Sequence, residues 1–141
     1  EVDILTAEVT VKKIIAAHDV GKAINPESVR GQIYGGAAMG LGFALMEEFV
    51  PGKTVSLKDY HIPTFSDMPP VECLIIEEPE PTGPFGAKGV GEPALIPTAP
   101  AILNAIADAL GARIYYLPAN LERVMKAIHS GASKVNFSLG Q

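Results

Sequence analysis

The chain has 141 residues, of which 48% are hydrophobic and 19% charged, and its formal net charge is -5. This composition is typical of a globular domain with a real core and excludes a disordered segment. The 11 lysines and arginines are scattered along the chain, which argues against a nucleic-acid-binding module, because phosphate contacts need clustered basic side chains.

Cys73 is the only cysteine, which excludes an internal disulfide and a cysteine-based zinc site built from this chain alone. A single thiol also fits a reducing, cytoplasmic location. The uncharged run 31–46 is shorter than the ~20 apolar residues that span a bilayer, so no membrane anchor is expected. The chain opens at Glu1 in a strand-like run without a visible signal peptide. We expect residues 1–141 to form one domain, as a piece of a longer polypeptide or one subunit of a split enzyme.

The N-terminal part of the chain predicts two strands and a helix. Residues 2–5 and 9–17 are rich in β-branched side chains and predict a hairpin. Asn25 followed by Pro26 is typical of a helix start, because Asn caps the first N–H groups and Pro tolerates the first helical position. We predict a helix over residues 26–49.

That predicted helix is unusually rich in glycine. Each glycine costs up to ~1 kcal/mol relative to alanine in an exposed helix interior. Small residues at four-residue spacing let a backbone or a flat ligand lie directly against a helix. The sequence leaves two explanations open, namely crowding by the domain's own sheet or contact with a cofactor. Gln32 offers an amide donor and acceptor to whatever packs there. The glycines are Gly31, Gly35, Gly36, Gly40 and Gly42.

The middle of the chain predicts one further strand. Residues 54–57 are compatible with a short strand, and the proline-containing segment 58–70 predicts an ordered but irregular connection. Residues 71–76 are a clear strand. The acidic, proline-rich segment 77–81 is typical of a solvated loop.

The C-terminal part predicts two helices and a short strand. Residues 94–110 predict a helix that ends at Gly111, and residues 114–116 predict a short strand. Pro118 and Asn120 predict the start of a last helix over residues 121–129, followed by a loosely held tail from Ser130. The predicted order β-β-α-β-α-β-α favours a layered α/β or α+β domain.

A glycine-rich loop precedes the predicted helix 94–110. Gly86, Gly89 and Gly91 allow positive φ angles and close approach of a ligand to the backbone N–H groups. Pro93 suits a first helical turn, so we expect Glu92 at or beside the helix N-cap, where the helix dipole favours an ionised carboxylate. Two other interpretations stay open, namely a tight turn with Glu92 as a capping acid, or a stand-alone anion-binding module.

Three segments carry a family resemblance: residues 18–26 (HDVGKAINP), residues 31–48 (GQIYGG through MGLG to EE) and residues 86–93 (GAKGVGEP). In this order and separation they resemble the C-terminal part of the molybdopterin-binding large subunit of the molybdenum hydroxylases, the xanthine dehydrogenase and aldehyde oxidoreductase family. The resemblance covers residues 9–128. It implies the fold of the C-terminal molybdenum-cofactor-binding domain of that family.

The resemblance also implies roles for named residues. Glu92 matches the family's catalytic glutamate, the general base that takes a proton from a water-derived oxygen at the molybdenum centre. Lys88, Gly89, Val90 and Gly91 match the loop against the molybdenum end of the cofactor. Gln32 matches a glutamine near the pterin.

The resemblance implies partners and a substrate class as well. The cofactor would be molybdenum-molybdopterin in its cytosine dinucleotide form, with 2Fe-2S clusters and FAD on other domains or subunits, since this chain lacks their motifs. Other expected partners are the remainder of the subunit, a small-molecule substrate, which we take to be an N-heterocycle such as a purine or nicotinate, and possible copies of the chain itself. The histidines lack ligand spacing, so none is expected to bind the metal. The alternative is a non-catalytic structural or assembly domain derived from such a subunit.

Overall fold

A computed structural model describes residues 1–135 of the chain. Its helices and strands are β1 (Ile14–Asp19), α1 (Pro26–Leu45), β2 (Val71–Ile76), α2 (Thr98–Leu110) and α3 (Leu121–Val135). Short 3-10 turns lie at Phe65–Asp67 and Pro84–Gly86. The mixed architecture with a small parallel sheet confirms the predicted α/β class. The observed order in the described part, β-α-β-α-α, lacks the first and last predicted strands.

The sheet consists of β1 and β2 in parallel, with Ile14 opposite Val71 and Asp19 opposite Ile76. Parallel neighbours need a crossover connection, and α1 supplies it. Alternate strand residues are half-buried towards the helices or exposed on the opposite face. On the exposed face Ile15 is 60% exposed and Leu74 45%. Only one face of the sheet is therefore covered by the described part of the chain.

The core lies where α1, α2, α3 and the N-terminal segment meet. Each of these elements contributes small or branched apolar side chains, because an amphipathic element buries its apolar side against its neighbours. α1 packs against both strands and against α2, and α2 packs against α3. The buried cluster comprises Ala7, Leu41, Ala44, Ala99, Ile102, Ile106, Ala119 and Val124.

The predicted helix ends are confirmed where local signals are strong. The Asn25 side chain accepts a hydrogen bond from the Ser28 N–H at 3.1 Å at the start of α1. The Asn120 side chain likewise accepts from the Arg123 N–H at 3.1 Å at the start of α3. Gly111 ends α2 with a left-handed φ of 64°, which a glycine adopts without strain.

Two helix C-termini differ from prediction. α1 ends at Leu45 rather than near residue 49, and α3 continues through Ser130 to Val135. The rest of the predicted loose tail, residues 136–141, lies outside the described residues. No helix within residues 1–135 is long and apolar enough to cross a membrane.

The predicted hairpin is reduced to a single antiparallel bridge between Val2 and Val9. The Asp3 carbonyl accepts a hydrogen bond from the Ala7 N–H at 2.8 Å, so the chain turns back where residues 4–5 were predicted to be strand. From Ile14 onwards the predicted strand pairs with β2 instead. The hairpin prediction was wrong beyond that bridge, because the better partner lies far away in sequence.

The predicted strand 114–116 is not observed, and the strand-compatible residues 54–57 form no strand either. Residues 54–57 and 114–116 carry β-prone side chains but lie in turns, bends and irregular backbone. Tyr115 is 81% exposed and Val55 is equally exposed. β propensity reflects packing in a sheet, and no strand of the described chain lies beside either segment.

α2 begins at Thr98 rather than at Ala94 as predicted. Pro97 occupies the N-cap position, and Pro100 lies in the first turn. A proline inside a helix removes a hydrogen bond and clashes with the preceding turn, whereas one at a helix start costs nothing. The prolines therefore fix the start of the helix, and the residues before them form turns.

Candidate active site

Two loops leave the carboxyl ends of the parallel strands. The β1 loop, residues 20–25, follows β1, and the glycine loop, residues 83–92, follows β2 after the acidic segment. In open α/β sheets the carboxyl ends of the strands are the usual place for a ligand. The predicted site residues of the glycine loop therefore lie on the side of the sheet where ligands usually bind in this class of fold.

Backbone contacts join the two loops. Gly21 pairs with Ala87 in an antiparallel bridge. The Lys22 N–H donates to the Gly86 carbonyl at 2.7 Å, and the Lys88 N–H donates to the Val20 carbonyl at 2.9 Å. Gly21 has a φ of 63°, and a Cβ there would lie 2.8 Å from the Lys88 nitrogen. Only glycine fits this crossing.

Asp19, the last residue of β1, joins three segments. Its Oδ2 lies 2.5 Å from the Lys88 Nζ. Its Oδ1 accepts hydrogen bonds from the Gly21 N–H at 2.9 Å and the Glu78 N–H at 3.4 Å. The Lys88 ammonium, followed by the Gly21 N–H, holds the pKa of Asp19 below its usual value. The same hydrogen bond raises the pKa of Lys88, so both groups are charged at neutral pH.

Sequence reasoning did not give Asp19 a role, although the residue belongs to the first family segment. The available signal was its position, since a carboxylate directly at the end of a strand faces the loops that follow. Lys88 was predicted to contact the cofactor. The structure shows that its ammonium binds the Asp19 carboxylate, and the predicted contact of Lys88 with the cofactor stays a prediction.

Glu92, the predicted general base, lies in a turn rather than at a helix N-cap. Its carbonyl accepts a hydrogen bond from the Leu95 N–H at 2.9 Å, and its side chain is exposed. Because α2 starts only at Thr98, the prediction that Glu92 lies at or beside the helix N-cap, where the helix dipole acts, was wrong. The predicted catalytic role of Glu92 does not depend on that position and stays a prediction.

The glycine-loop backbone also differs from expectation. Gly86 has a positive φ of 78°, as predicted, whereas Gly89 and Gly91 are not in the positive-φ region. No atom of the described chain beyond their neighbours lies within 4 Å of a Cβ built on Gly89 or Gly91. These glycines therefore leave open space rather than form tight turns.

α1 fixes the turn that carries Glu92. A Cβ on Gly36 would lie 2.8 Å from the Cβ of Ala94, and one on Gly40 would lie 2.5 Å from the Cβ of Thr98. These contacts confirm that the glycines allow close packing, here against the segment leading into α2. Gln32 is exposed and lies one helical turn before Gly36 on the same side of α1. Gln32 and the Glu92 turn therefore lie on one side of the helix.

Three consecutive N–H groups of the glycine loop are available as donors. The N–H groups of Gly89, Val90 and Gly91 have no acceptor within residues 1–135. Such a run of exposed N–H groups suits an anionic or carbonyl-rich ligand. Among the described residues, no three His, Cys, Asp or Glu side chains are grouped so that they could hold a metal ion. At the candidate site the described chain thus offers the backbone N–H groups of residues 89–91, the Gln32 amide and the Glu92 carboxylate to a ligand.

A groove of about 590 Å³ lies elsewhere, between the N-terminal segment with β1 and the α2 helix. It is lined by Ile15 and Ala17 on one side and by Ala101, Ile102 and Ala105 on the other. No residue of the glycine loop takes part in it. We place the candidate site at the strand ends, where the chemistry-bearing side chains lie.

Comparison with known proteins shows what the chain is similar to. The sequence pattern of the molybdopterin cofactor-binding domain family matches residues 1–69. The xanthine dehydrogenase molybdenum-binding subunit of Escherichia coli O157:H7 is 39% identical over 134 residues, which cover 91% of this chain and 18% of that protein. The nicotine 6-hydroxylase large subunit of Paenarthrobacter nicotinovorans is 41% identical over 135 residues, covering 90% of this chain and 16% of that protein.

A solved structure of aldehyde oxidoreductase from Desulfovibrio gigas matches with a TM-score of 0.86 and 41% identity, over 91% of this chain and 14% of that chain. Residues 1–69 thus match the molybdopterin cofactor-binding domain, and about nine tenths of the chain is similar to the molybdenum-binding subunit of xanthine dehydrogenase and to aldehyde oxidoreductase. The family resemblance of the three sequence segments is thereby confirmed. The chain spans less than a fifth of the length of these relatives.

Proposed function

We propose that this chain is the C-terminal domain of the molybdenum-binding subunit of a molybdenum hydroxylase. With the remainder of that subunit it would oxidise a substrate carbon with oxygen derived from water. The main support is the juxtaposition at the strand ends of three free N–H groups, at Gly89, Val90 and Gly91, and the exposed Glu92 carboxylate. Similarity to the molybdenum hydroxylases supplies the chemistry that such a site serves.

The donor set fits a molybdenum-molybdopterin group. The N–H groups of residues 89–91 suit its oxygen atoms, and the Gln32 amide can both donate to and accept from a pterin ring. Lys88 would contribute its backbone. When bound, the group would supply a Lewis-acidic metal that makes water acidic and accepts the electrons of the oxidation. From the family resemblance we propose that the bound molybdenum-molybdopterin is the cytosine dinucleotide form.

Glu92 would act as the general base. Its exposed carboxylate can accept the proton of the attacking water-derived oxygen, and a well-placed base contributes ~10² to 10⁴-fold to the rate. Ala94 packs against Gly36, so the turn that carries Glu92 cannot move freely relative to α1. The helix thereby holds the turn of Glu92 against the side of α1 that also carries Gln32.

We further infer that the substrate is an N-heterocycle, with purines and nicotinate as the leading compounds. The names of two relatives support this, since one is a xanthine dehydrogenase subunit and one a nicotine 6-hydroxylase subunit. Relatives named as subunits support an assembly in which 2Fe-2S and FAD groups lie on other domains or chains. The single Cys73 supports a cytoplasmic location.

The test is to purify the complete subunit with its natural partner chains and to measure molybdenum and pterin content. We expect about one molybdenum per subunit and dye-linked oxidation of a purine or of nicotinate in preference to an aldehyde. Absence of both molybdenum and pterin would contradict the proposed function. Oxidation of aldehydes alone would contradict the substrate class and leave the reaction class intact.

A non-catalytic assembly domain is the second candidate. The specific observation in its favour is the uncovered sheet face, where Ile15, Leu74 and Ile76 are 45 to 60% exposed and available to another chain. Under this alternative, molybdenum content would depend on the sheet face, and removal of the Glu92 carboxylate would leave turnover unchanged. The variant Glu92→Gln separates the two functions.

A further inference from the structure

We propose that Asp19 is a positioning residue for the glycine loop, and that Lys88 acts by binding Asp19 rather than by presenting its charge to the cofactor. The link to catalysis rests on the proposed function. The positional role itself rests only on contacts within this chain.

Asp19 is the point at which both strand ends and the glycine loop meet. One carboxylate oxygen accepts from the N–H groups of Gly21, in the β1 loop, and Glu78, just after β2. The other oxygen binds the Lys88 ammonium at 2.5 Å. A single side chain therefore sets the glycine loop relative to both strands.

Backbone hydrogen bonds beside this ion pair hold the glycine loop in place. Lys88 donates its N–H to Val20, and Gly86 accepts from Lys22, so the loop is held on both sides of Ala87. Residues 89–92 follow at once without further hydrogen bonds from their N–H groups in the described chain. The Asp19–Lys88 pair is thus the last fixed point before the three free N–H groups and Glu92.

The surroundings of Lys88 are acidic. Glu78 and Glu80 act on it electrostatically together with Asp19, while Lys22 is occupied by Glu77 at 2.9 Å. The Lys88 side chain is only 31% exposed. An ammonium in this position is neutralised by its own chain, so an anionic ligand would be held by the loop N–H groups instead.

The experiment uses the complete subunit with its partners and compares Asp19→Asn, Lys88→Met, the double variant and Lys88→Arg. Hydrogen exchange is measured in cofactor-loaded and cofactor-free protein at residues 86–88, whose N–H groups are hydrogen-bonded within the chain. Molybdenum content and kcat are measured in the loaded enzyme. Lys126→Met makes the same kind of substitution at a more exposed ion pair, with Glu122 on α3, and serves as the control.

We expect both single variants to speed exchange of the glycine loop by about fivefold, the upper range for a partly exposed ion pair. The double variant should add nothing, Lys88→Arg should restore protection, and kcat should fall while molybdenum is retained. The control should leave exchange of residues 86–88 unchanged.

The opposite pattern would overturn the proposal. If Lys88→Met loses molybdenum while Asp19→Asn retains it with a protected loop, Lys88 binds the cofactor directly. Unchanged loop exchange in both variants of a folded subunit would also overturn it. If Asp19→Asn does not fold, Lys88→Met and Lys88→Arg are compared instead. Equal loop exchange in these two variants would overturn the proposal. If the wild-type complex contains no molybdenum, the proposed function fails, yet loop exchange in the cofactor-free protein still decides the role of Asp19.

Discussion

Gly36 of α1 lies directly against Ala94, and a Cβ on Gly36 would lie 2.8 Å from the Ala94 Cβ and 2.9 Å from the Leu95 nitrogen. Backbone atoms cannot move aside as a flexible side chain can, so a methyl group at this position forces α1 away from the Glu92 turn. The neighbouring Gly35 faces the other way and meets no atom of the described chain within 4 Å.

This contrast predicts opposite effects of alanine at adjacent glycines. Gly36→Ala should destabilise the cofactor-free subunit by about 1 to 3 kcal/mol through overpacking, despite better helix propensity. Gly35→Ala should be neutral or should stabilise by up to ~1 kcal/mol, because only helix propensity changes. Chemical denaturation of both variants measures the difference. Equal midpoints would show that the Gly36 contact yields without cost.

Removal of the carboxylate at Glu92 should abolish turnover. Glu92→Gln keeps the size and polarity of the side chain but cannot accept a proton, so we expect the rate to fall by ~10² to 10⁴-fold. Molybdenum content and thermal stability should stay close to wild type, because the side chain is exposed. Steady-state kinetics of the complete enzyme provides the measurement, with the exposed Glu122→Gln as the control. A variant with more than about a tenth of the wild-type rate would remove Glu92 from the mechanism.

The N-cap of α1 should contribute measurably to stability. Asn25→Ala removes the acceptor for the Ser28 N–H and should cost about 1 kcal/mol. Asn25→Asp retains the acceptor and should keep most of that stability. Urea denaturation of the subunit compares the two variants. Equal losses in both would indicate that the asparagine matters through some other contact.

The residues that begin or end the helices could be predicted from the sequence, because each acts only on nearby residues. Asn25, Gly111 and Asn120 each act on their own helix turn, so neighbouring residues suffice to identify them. The strand 71–76 was equally clear from its continuous apolar run. The predicted close packing is observed at Gly36, Gly40 and Gly42 of α1, whereas Gly31 and Gly35 meet no atom of the described chain within 4 Å.

Most of the structural features that the sequence did not predict depend on residues that are far apart in the chain. β1 pairs with β2 across the whole α1 crossover, and nothing near β1 in sequence indicates that partner. Residues 114–116 have strand-like side chains but no strand beside them in the described chain. The Asp19–Lys88 pair joins residues far apart in sequence, so it emerges only once both strand ends meet. The start of α2 was misplaced for a different reason, since the local prolines at 97 and 100 outweigh the helical spacing of the residues before them.

The Asp19–Lys88 pair also predicts a pH dependence. The pKa of Asp19 is lowered in the folded chain, so its stabilising contribution is complete above the unfolded value of about 4 and is lost as pH falls through the lower folded value. The pKa of Lys88 is raised, so its contribution is present below about 10.4 and is lost as pH rises through the higher folded value. The stability difference between wild type and Asp19→Asn should be constant from about pH 5 to 9. This stability difference should shrink below about pH 4. Urea midpoints of both proteins across this pH range provide the measurement. A stability difference that is unchanged at about pH 3 would show that it comes from another group.

On its own, the 141-residue chain carries apolar side chains that no other part of the described structure covers. Its sheet face exposes Ile15, Leu74 and Ile76, and the outer side of α1 exposes Met39 and Phe43 at 53 and 40%. Extended apolar surfaces of this kind are usually covered by a partner. We expect the purified chain to self-associate at tens of micromolar.

Sedimentation velocity with hydrophobic-dye binding provides the measurement, and Ile15→Thr with Leu74→Thr should reduce both association and dye binding. Lys126→Thr on α3 introduces the same residue away from the sheet face, at an exposed position, and serves as the control. The isolated chain should also oxidise no substrate, since Glu92 would lack the metal that makes water acidic. A compact monomer that binds no dye would show that the sheet face needs no cover, and it would favour the stand-alone module that the glycine loop alone had suggested.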